Sequence, residues 1–386
     1  MKLSVNQSSV KQTNQALIID YIRQGGPTSR AGLAKALAMS KPAVSANVED
    51  LLNREVLLER GAGQSSGGRI PTLIAFNKNY RHILTLDLNR NHPQICLVNL
   101  EGEILHKHEI LVDQGDLKAD LEEKIIRQVD DLLALEPDQC LGVITLALPG
   151  VIDEKTGQVF ANPQFNHWKE LNLKDLFEST YPVDVIMKND IDMAALGEKH
   201  FGCGQTVEDL VYVSLGMGLG AGIILNNRLH EGKRKAAGEI GFSRIFSQND
   251  NLEDYLSLGA VYKRIEKDIQ AGQKTLLESL EGQVSLETIK RALDQGDSYC
   301  QDLIEDMGKH LGTAIANMAL LLDLDLIIIG GAIADLGPKF VEGIRGVVEE
   351  IVPFETNISL GDLGAMSGTY GLINLGQISI LKGMVI

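Results

Sequence analysis

The stretch "VDVIMKNDIDMAALGEKHFG", residues 183–202, changes character halfway along. Val183, Val185, Ile186 and Met187 form a β-prone apolar run that stops at the polar pair Asn189-Asp190. From Ile191 the run "IDMAALGEKHFG" reads as a helix. A strand that delivers polar side chains to the start of a helix is an α/β signature, and such folds bind ligands where strand ends meet. Asp190 could accept a proton or a hydrogen bond from a ligand hydroxyl. It could equally do no more than cap the helix.

The pattern extends in both directions. "HILTLDLN", "QICLVNL" and "EILHKHEI" are short strands, followed by the helical "DLEEKIIRQVDDLLAL" and the buried strand "LGVITLALPG". The second half repeats this logic with "DLVYVSLG", "GAGIILN", long helices and "LDLIIIGG". Two βββαβα-like halves around a cleft are the expectation. Between two strands, "SLGMGLGAG" (214–222) offers four glycines at alternating positions, which let backbone N–H groups approach a phosphate or a sugar. Glu239 in "GEIG" and Glu253 in "NLEDYLS" are further acids near this loop, although Glu253 and Asp254 could simply favour a helix N-terminus.

The first 75 residues differ from the rest. They carry nine Lys/Arg against five Asp/Glu, a charge of +4, within a chain of net charge −16. A basic end on an acidic body suits a DNA-binding module attached to something else. In "NQALIIDYIRQ", Leu17, Ile18, Tyr21 and Ile22 are expected on one helical face. "GGP" ends that helix, Thr28 or Ser29 can cap "SRAGLAKAL", and Ser40 can cap "KPAVSANVEDLLNREVL". In this third helix Val44, Val48, Leu51 and Leu52 should face inward, leaving Lys41, Ala43, Ser45, Ala46 and Asn47 outside. This is helix-turn-helix spacing, in which the start of the second helix of the pair reaches base edges in the major groove. Two β-prone runs around Gly61–Pro71 read as a wing, with Arg60 or Arg69 available to phosphate or a narrow minor groove. Such modules usually bind paired half-sites, which implies a dimer.

At 386 residues and 44% hydrophobic content the chain can bury a large core. Its longest apolar runs are too short or too interrupted to cross a bilayer, and the polar N-terminus lacks a signal core. Cys96, Cys140, Cys203 and Cys300 lie far apart and read as reduced residues, mostly buried. A cytoplasmic protein that binds no membrane is expected.

Several runs together resemble the ROK family (repressors, open reading frames and kinases). The segment from "VKQTNQALIIDYIRQ" to "GGRIPTLIAFN" resembles the winged-helix part of its sugar repressors, those of the xylose and N-acetylglucosamine type. "LPGVIDEKTGQVFANPQFNHW", "KNDIDMAALGE", "LGMGLGAGIILNNRLHEGKRKAAGEIG" and "LIIIGGAI" follow in the family's order. The resemblance implies a winged helix-turn-helix (1–77) before a two-lobed actin/hexokinase-like, ribonuclease H-like α/β body. Its first lobe would span 78–195, completed by a C-terminal helix at about 370–386, and its second 196–369, with the sugar loops and oligomer contacts. Asn189 and Asp190 match the family's pair that holds sugar hydroxyls, the Asp serving as base in kinases. Glu239 matches the sugar-contacting Glu of "GEIGH", and Glu253 an acid after the family's cysteine cluster.

Two departures shape the expectation. Kinases of the family have a DxGxT-type loop for ATP phosphates, whereas here Asp87 is followed by Leu88, Asn89 and Arg90; Met217 stands where kinases usually have Thr. Positioning is nearly everything in phosphoryl transfer, so little kinase activity is expected. The family's zinc-binding His and CxCGxxGC run are replaced by Phe242 and "SRIFSQNDNLEDY", so no metal is expected, and packing of Phe242 or Phe246 should stabilise the loop. The sequence therefore reads as a repressor of carbohydrate-utilisation genes. Its expected partners are double-stranded operator DNA, a sugar or sugar-phosphate effector and its own copies in a homodimer or tetramer, with no cofactor. The alternative is an ATP-dependent sugar kinase with an N-terminal DNA module; activation of transcription is a third.

Overall fold

The structure, a computed structural model, describes residues 7–62, 72–89, 92–110, 118–137, 140–160, 172–244, 250–280 and 283–384. Helices Gln7–Gly25, Arg30–Ala36 and Lys41–Asn53 pack with strands β1 (Thr28–Ser29), β2 (Leu57–Ala62) and β3 (Thr72–Phe76). The strands are antiparallel in the order β1-β3-β2. This is a winged helix-turn-helix. Ser29 Oγ accepts the Gly32 N–H at 3.0 Å, and Ser40 Oγ the Ala43 N–H at 3.3 Å, so each helix starts on a serine cap. The single face expected for Leu17, Ile18, Tyr21 and Ile22 in the first helix is corrected. Leu17 and Tyr21 are exposed, and Ile18, Ile19 and Ile22 form the buried face instead. The wing tip, with Arg69, lies outside the described residues.

The body holds two five-stranded sheets of the same topology. In the first, β4 (His82–Asp87), β5 (Gln94–Val98) and β6 (Ile104–Glu109) run antiparallel, while β7 (Leu141–Leu148) and β10 (Asp184–Asn189) join parallel to β4, giving the order β10-β7-β4-β5-β6. A small hairpin, β8 (Val151–Asp153) and β9 (Gln158–Phe160), follows β7. The second sheet repeats the plan. Strands β11 (Leu210–Leu215), β12 (Leu219–Leu225) and β13 (Arg228–Leu229) are antiparallel, and β14 (Leu326–Gly330) and β15 (Asn357–Leu360) are parallel to β11. This duplicated arrangement is the hexokinase-like α/β body. Both sheets are covered on both faces, so their central strands are buried almost along their whole length rather than on alternate residues.

Helices Asp190–Phe201 and Ser367–Met384 lie between the sheets, back to back. The first packs on β11 and β12 and the second on β4 and β7. Their backbones touch: a Cβ at Gly197 would sit 1.9 Å from the Ser367 carbonyl oxygen, and one at Gly371 1.9 Å from that of Met193. The expected lobe boundary at 195 falls inside the first helix, which runs unbroken to Phe201. The winged-helix core is continuous with the body, since Ile18, Val44 and Leu51 share one apolar cluster with Ile83, Val98, Ile373 and Met384. Of the cysteines, Cys96 and Cys300 are buried, whereas Cys140 is exposed and Cys203 half-buried.

Replacing Gly371 by Ala is expected to destabilise the protein by ~1–3 kcal/mol, because the backbones cannot separate without repacking both lobes. Gly343→Ala, in a helix with nothing within 4 Å, should leave the thermal midpoint unchanged or slightly raised. Melting curves of the two variants check the contrast.

Candidate functional site in the interlobe cleft

A cavity of about 280 Å³ opens between the lobes, where the ends of both sheets meet. Asp87, Asn189 and Asp190 line it from the first sheet, Met217, Glu239, Phe242 and Glu253 from the second, and Ser367 and Gly368 from the start of the C-terminal helix. A larger depression of about 580 Å³, between Tyr80, Tyr181 and Met384, lies away from these strand ends. All four residues marked as sugar ligands therefore share one cavity.

Each is held by identifiable contacts. Asn189 caps helix Asp190–Phe201: its Oδ1 accepts the N–H groups of Ile191 and Asp192 at 2.9 and 3.0 Å. Its Nδ2 donates to the Gly150 carbonyl at 3.0 Å. The cap is thus Asn189, not Asp190, whose carboxylate lines the cavity while also accepting the Ile191 N–H at 3.0 Å. Glu239 sits on a turn lying directly on β12. Gly238 there has φ +82°, and a Cβ on it would meet the Ala221 carbonyl oxygen at 1.8 Å, so only glycine fits. Glu253 Oε2 accepts the Leu219 N–H at 2.8 Å and so holds the glycine-rich turn between β11 and β12.

The cleft is strongly acidic. Burial raises the Glu239 carboxyl above its usual range, and the nearby charges of Glu253 and Asp190 add to the effect. Asp87 is fully buried and is pushed up to about 7 by burial, with Asp190 adding and the Asn89 hydrogen bond opposing. Phe242 does not pack against its loop as expected. It is 68% exposed, because the turn directs it to the cleft mouth. Phe246 and Arg90 lie outside the described residues. Phe242 and Ser243 offer no zinc donor, and among the described residues no three His, Cys, Asp or Glu side chains converge as metal ligands.

Sequence reasoning missed an ion network beside the cavity. Lys188 Nζ pairs with Glu154 Oε1 at 2.7 Å and Glu231 Oε1 at 2.8 Å, and Lys235 joins both acids. Asp192, mostly buried next to it, is pushed up to about 7 by burial and then by Glu231, with the two lysines opposing. Glu231 and Lys235 are an i,i+4 pair that spacing could have suggested, whereas Glu154 and Lys188 lie far from them in the chain.

On the winged helix, Lys41 and Ser45 are exposed and Ala43 half-buried at the start of the third helix; Arg60 is exposed on β2. Asn47 is corrected. It is 7% exposed and its Nδ2 donates to the Ala43 carbonyl at 2.8 Å, so it faces the module's core and not DNA. Its position one turn beyond Ala43 puts it next to Val48 and Leu51, on the packed side.

A two-lobed α/β body with a polar interlobe cavity, preceded by a winged helix, defines a class. The profile of the ROK family matches residues 83–373, beginning inside β4, and the chain belongs to this family. It is 30% identical to the xylose repressor of Caldicellulosiruptor bescii over 362 residues, covering 89% of both chains. It is 27% identical to the DNA-binding transcriptional dual regulator NagC of Escherichia coli, over 92% of this chain and 89% of the other. Among solved structures, a ROK family transcriptional regulator homologous to the E. coli Mlc protein superposes with TM-score 0.81 at 26% identity, covering 97% and 98% of the chains. A ROK glucokinase from Streptomyces griseus, solved with glucose and AMPPNP, gives 0.63 at 25% identity over 76% of this chain and 98% of its own.

The raised Asp87 carboxyl gives a pH signature. Its folded value of about 7 exceeds the roughly 3.9 of an unfolded Asp. Between these values the folded state holds the extra proton, so this group's contribution to stability falls as pH rises through the window. Asp87→Asn is expected to flatten the decline of the thermal midpoint between about pH 4 and 7.

Proposed function

We propose that the protein is a transcriptional repressor of carbohydrate-utilisation genes whose DNA affinity responds to a sugar bound in the interlobe cavity. The observation that carries this reading is the convergence of Asn189, Asp190, Glu239 and Glu253 on one cavity in a chain that begins with a winged helix. Carboxylates suit a polyol, because they accept its many O–H donors at fixed positions. The names of the xylose repressor and NagC relatives support the DNA-binding and sugar-responsive parts. The DNA surface is formed by Lys41, Ala43, Ser45, Arg60 and Arg69, on operator DNA bound by a homodimer or tetramer. The effector is a sugar or sugar phosphate, the setting the cytoplasm; among the described residues no helix is long and apolar enough to span a membrane.

The function proposed is regulation without phosphoryl transfer. Two features support this. The loop after β4 is closed on itself by Asn89, whose Nδ2 donates to the His92 carbonyl and whose Oδ1 accepts the His92 N–H. In the second loop the Leu219 N–H, at the end of the glycine-rich turn, already donates to the Glu253 carboxylate, which places a negative charge beside that turn. The likeness to a glucokinase keeps the kinase alternative testable: Asp190-dependent ATP turnover would establish it.

In fluorescence titrations with DNA selected by the full chain from a random pool, xylose, glucose, N-acetylglucosamine or one of their phosphates should shift DNA affinity by about 5- to 150-fold. Asp190→Asn should abolish that shift and leave DNA binding in place. If no sugar moves the affinity of the unaltered chain, the effector reading fails. Lys41→Ala should weaken binding across all sequences and lower the salt slope by about one.

A further inference from the structure

The C-terminal helix connects the two ends of the molecule that the proposed function requires to communicate. Its 18 residues, Ser367–Met384, span roughly 27 Å at the α-helical rise. At one end Ser367 and Gly368 line the interlobe cavity. At the other, the Met384 carbonyl accepts a hydrogen bond from Arg54 Nη2. Arg54 is the C-cap residue of helix Lys41–Asn53, the helix whose start is proposed to read DNA.

The chemistry of that junction is specific. Met384 is the last described residue of its helix, and in a helix's final turn the carbonyls lack intrahelical partners and the dipole is negative. A guanidinium is the natural partner there. Asp50 Oδ2, 3.8 Å from Arg54 Nη1, steadies the same side chain from within the third helix, and Asp50 is itself held by Lys11 and Gln15 of the first. Between the two ends the helix has little slack, because Gly371 and Gly376 bring its backbone against Met193 and Ile83. Closely packed elements move as units and do not absorb displacement. Apolar packing also joins the module to the body, but it is non-directional, whereas a capped helix end fixes position and angle.

We propose that helix Ser367–Met384 is the rod that carries a change at the cavity to the DNA-binding helix, and that Arg54 is the positioning residue that couples the two. The inference rests on the sugar-responsive reading above. It assigns Arg54 no contact with sugar or with DNA.

The test uses the full-length chain, Arg54→Ala and Arg54→Lys, with D-xylose, D-glucose, N-acetylglucosamine and their phosphates as probes. Sugar affinity of the free protein is measured by calorimetry, and DNA affinity with and without sugar by fluorescence anisotropy. In Arg54→Ala, sugar and DNA should each still bind, within about threefold of the unaltered chain. The sugar-induced change in DNA affinity should fall from about 5- to 150-fold towards none, and Arg54→Lys, which keeps the charge on one compact ammonium, should recover part of it. Hydrogen exchange supplies a readout independent of DNA. Sugar should alter protection of the amides of Lys41–Asn53 in the unaltered chain and not in Arg54→Ala.

A full sugar response in Arg54→Ala overturns the rod. So does loss of DNA binding in that variant while its melting curve is unchanged, since Arg54 would then belong to the DNA surface. If the unaltered chain shows no sugar response, the functional reading falls first and this inference with it. The two failures are thus told apart by the unaltered chain alone.

Discussion

The two central helices touch backbone to backbone, and a single buried carboxylate fixes how they do so. Glu198, fully buried on helix Asp190–Phe201, accepts the N–H groups of Asp362 and Leu363 at 3.1 and 2.9 Å and the Ser367 hydroxyl at 2.9 Å. It also accepts the Cys203 N–H at 3.3 Å. Four donors around one carboxylate offset a desolvation cost that would otherwise exclude a charge from this position. Glu198 therefore fixes the entry of the C-terminal helix one residue from the Gly197–Ser367 contact. Four residues of the cavity stand at the helix starts that this joint holds. Asn189 and Asp190 stand at the start of one helix, and Ser367 and Gly368 at the start of the other.

The acidity of the cleft follows from the same geometry. The strand ends and helix starts that converge there bring Asp87, Asp190, Glu239 and Glu253 into shared surroundings, and burial together with mutual repulsion raises Asp87 and Glu239. An arrangement that opposes its own charges is costly unless something compensates. On the proposed function, sugar hydroxyls donating to these oxygens supply that compensation, so ligand binding relieves a strain already present in the free protein. The free-energy difference between liganded and unliganded cleft is then located at the helix starts, where a shift is carried along both helices.

Much of this was legible in the sequence because it rests on local chemistry. The change from strand to helix at Asn189 is written in the apolar run, the polar pair and the helix formers that follow. The serine caps at 29 and 40 are equally local, and each is found accepting the N–H three residues on. The candidate ligands were found from motif resemblance, and individually each allowed a simpler role; Asn189 does in fact also cap a helix. What could not be read is whatever depends on partners distant in the chain. Asn47 is an exception with a local cause: three residues after Val44 and four before Leu51, it shares their packed face by helical spacing alone, against the outward expectation. Phe242, expected to stabilise its loop by packing, is exposed, on a turn whose path Gly238 and Gly241 fix against β12. The pairing of Lys188 with Glu154 and Glu231 and the Arg54–Met384 junction join residues with no common pattern.

That ion network has a consequence for how closure must proceed. Lys188 immediately precedes Asn189 on β10, while Glu231 and Lys235 belong to the connection that leads to Glu239. The side chains that would hold the ligand thus share their backbone segments with side chains already paired across the cleft. Lys188 is only 14% exposed and is held by Glu154 of its own lobe and by Glu231 of the other, so the Glu231 pair ties the lobes across the cleft. The lobes are therefore held together on this side without any ligand, and a large opening here would be costly.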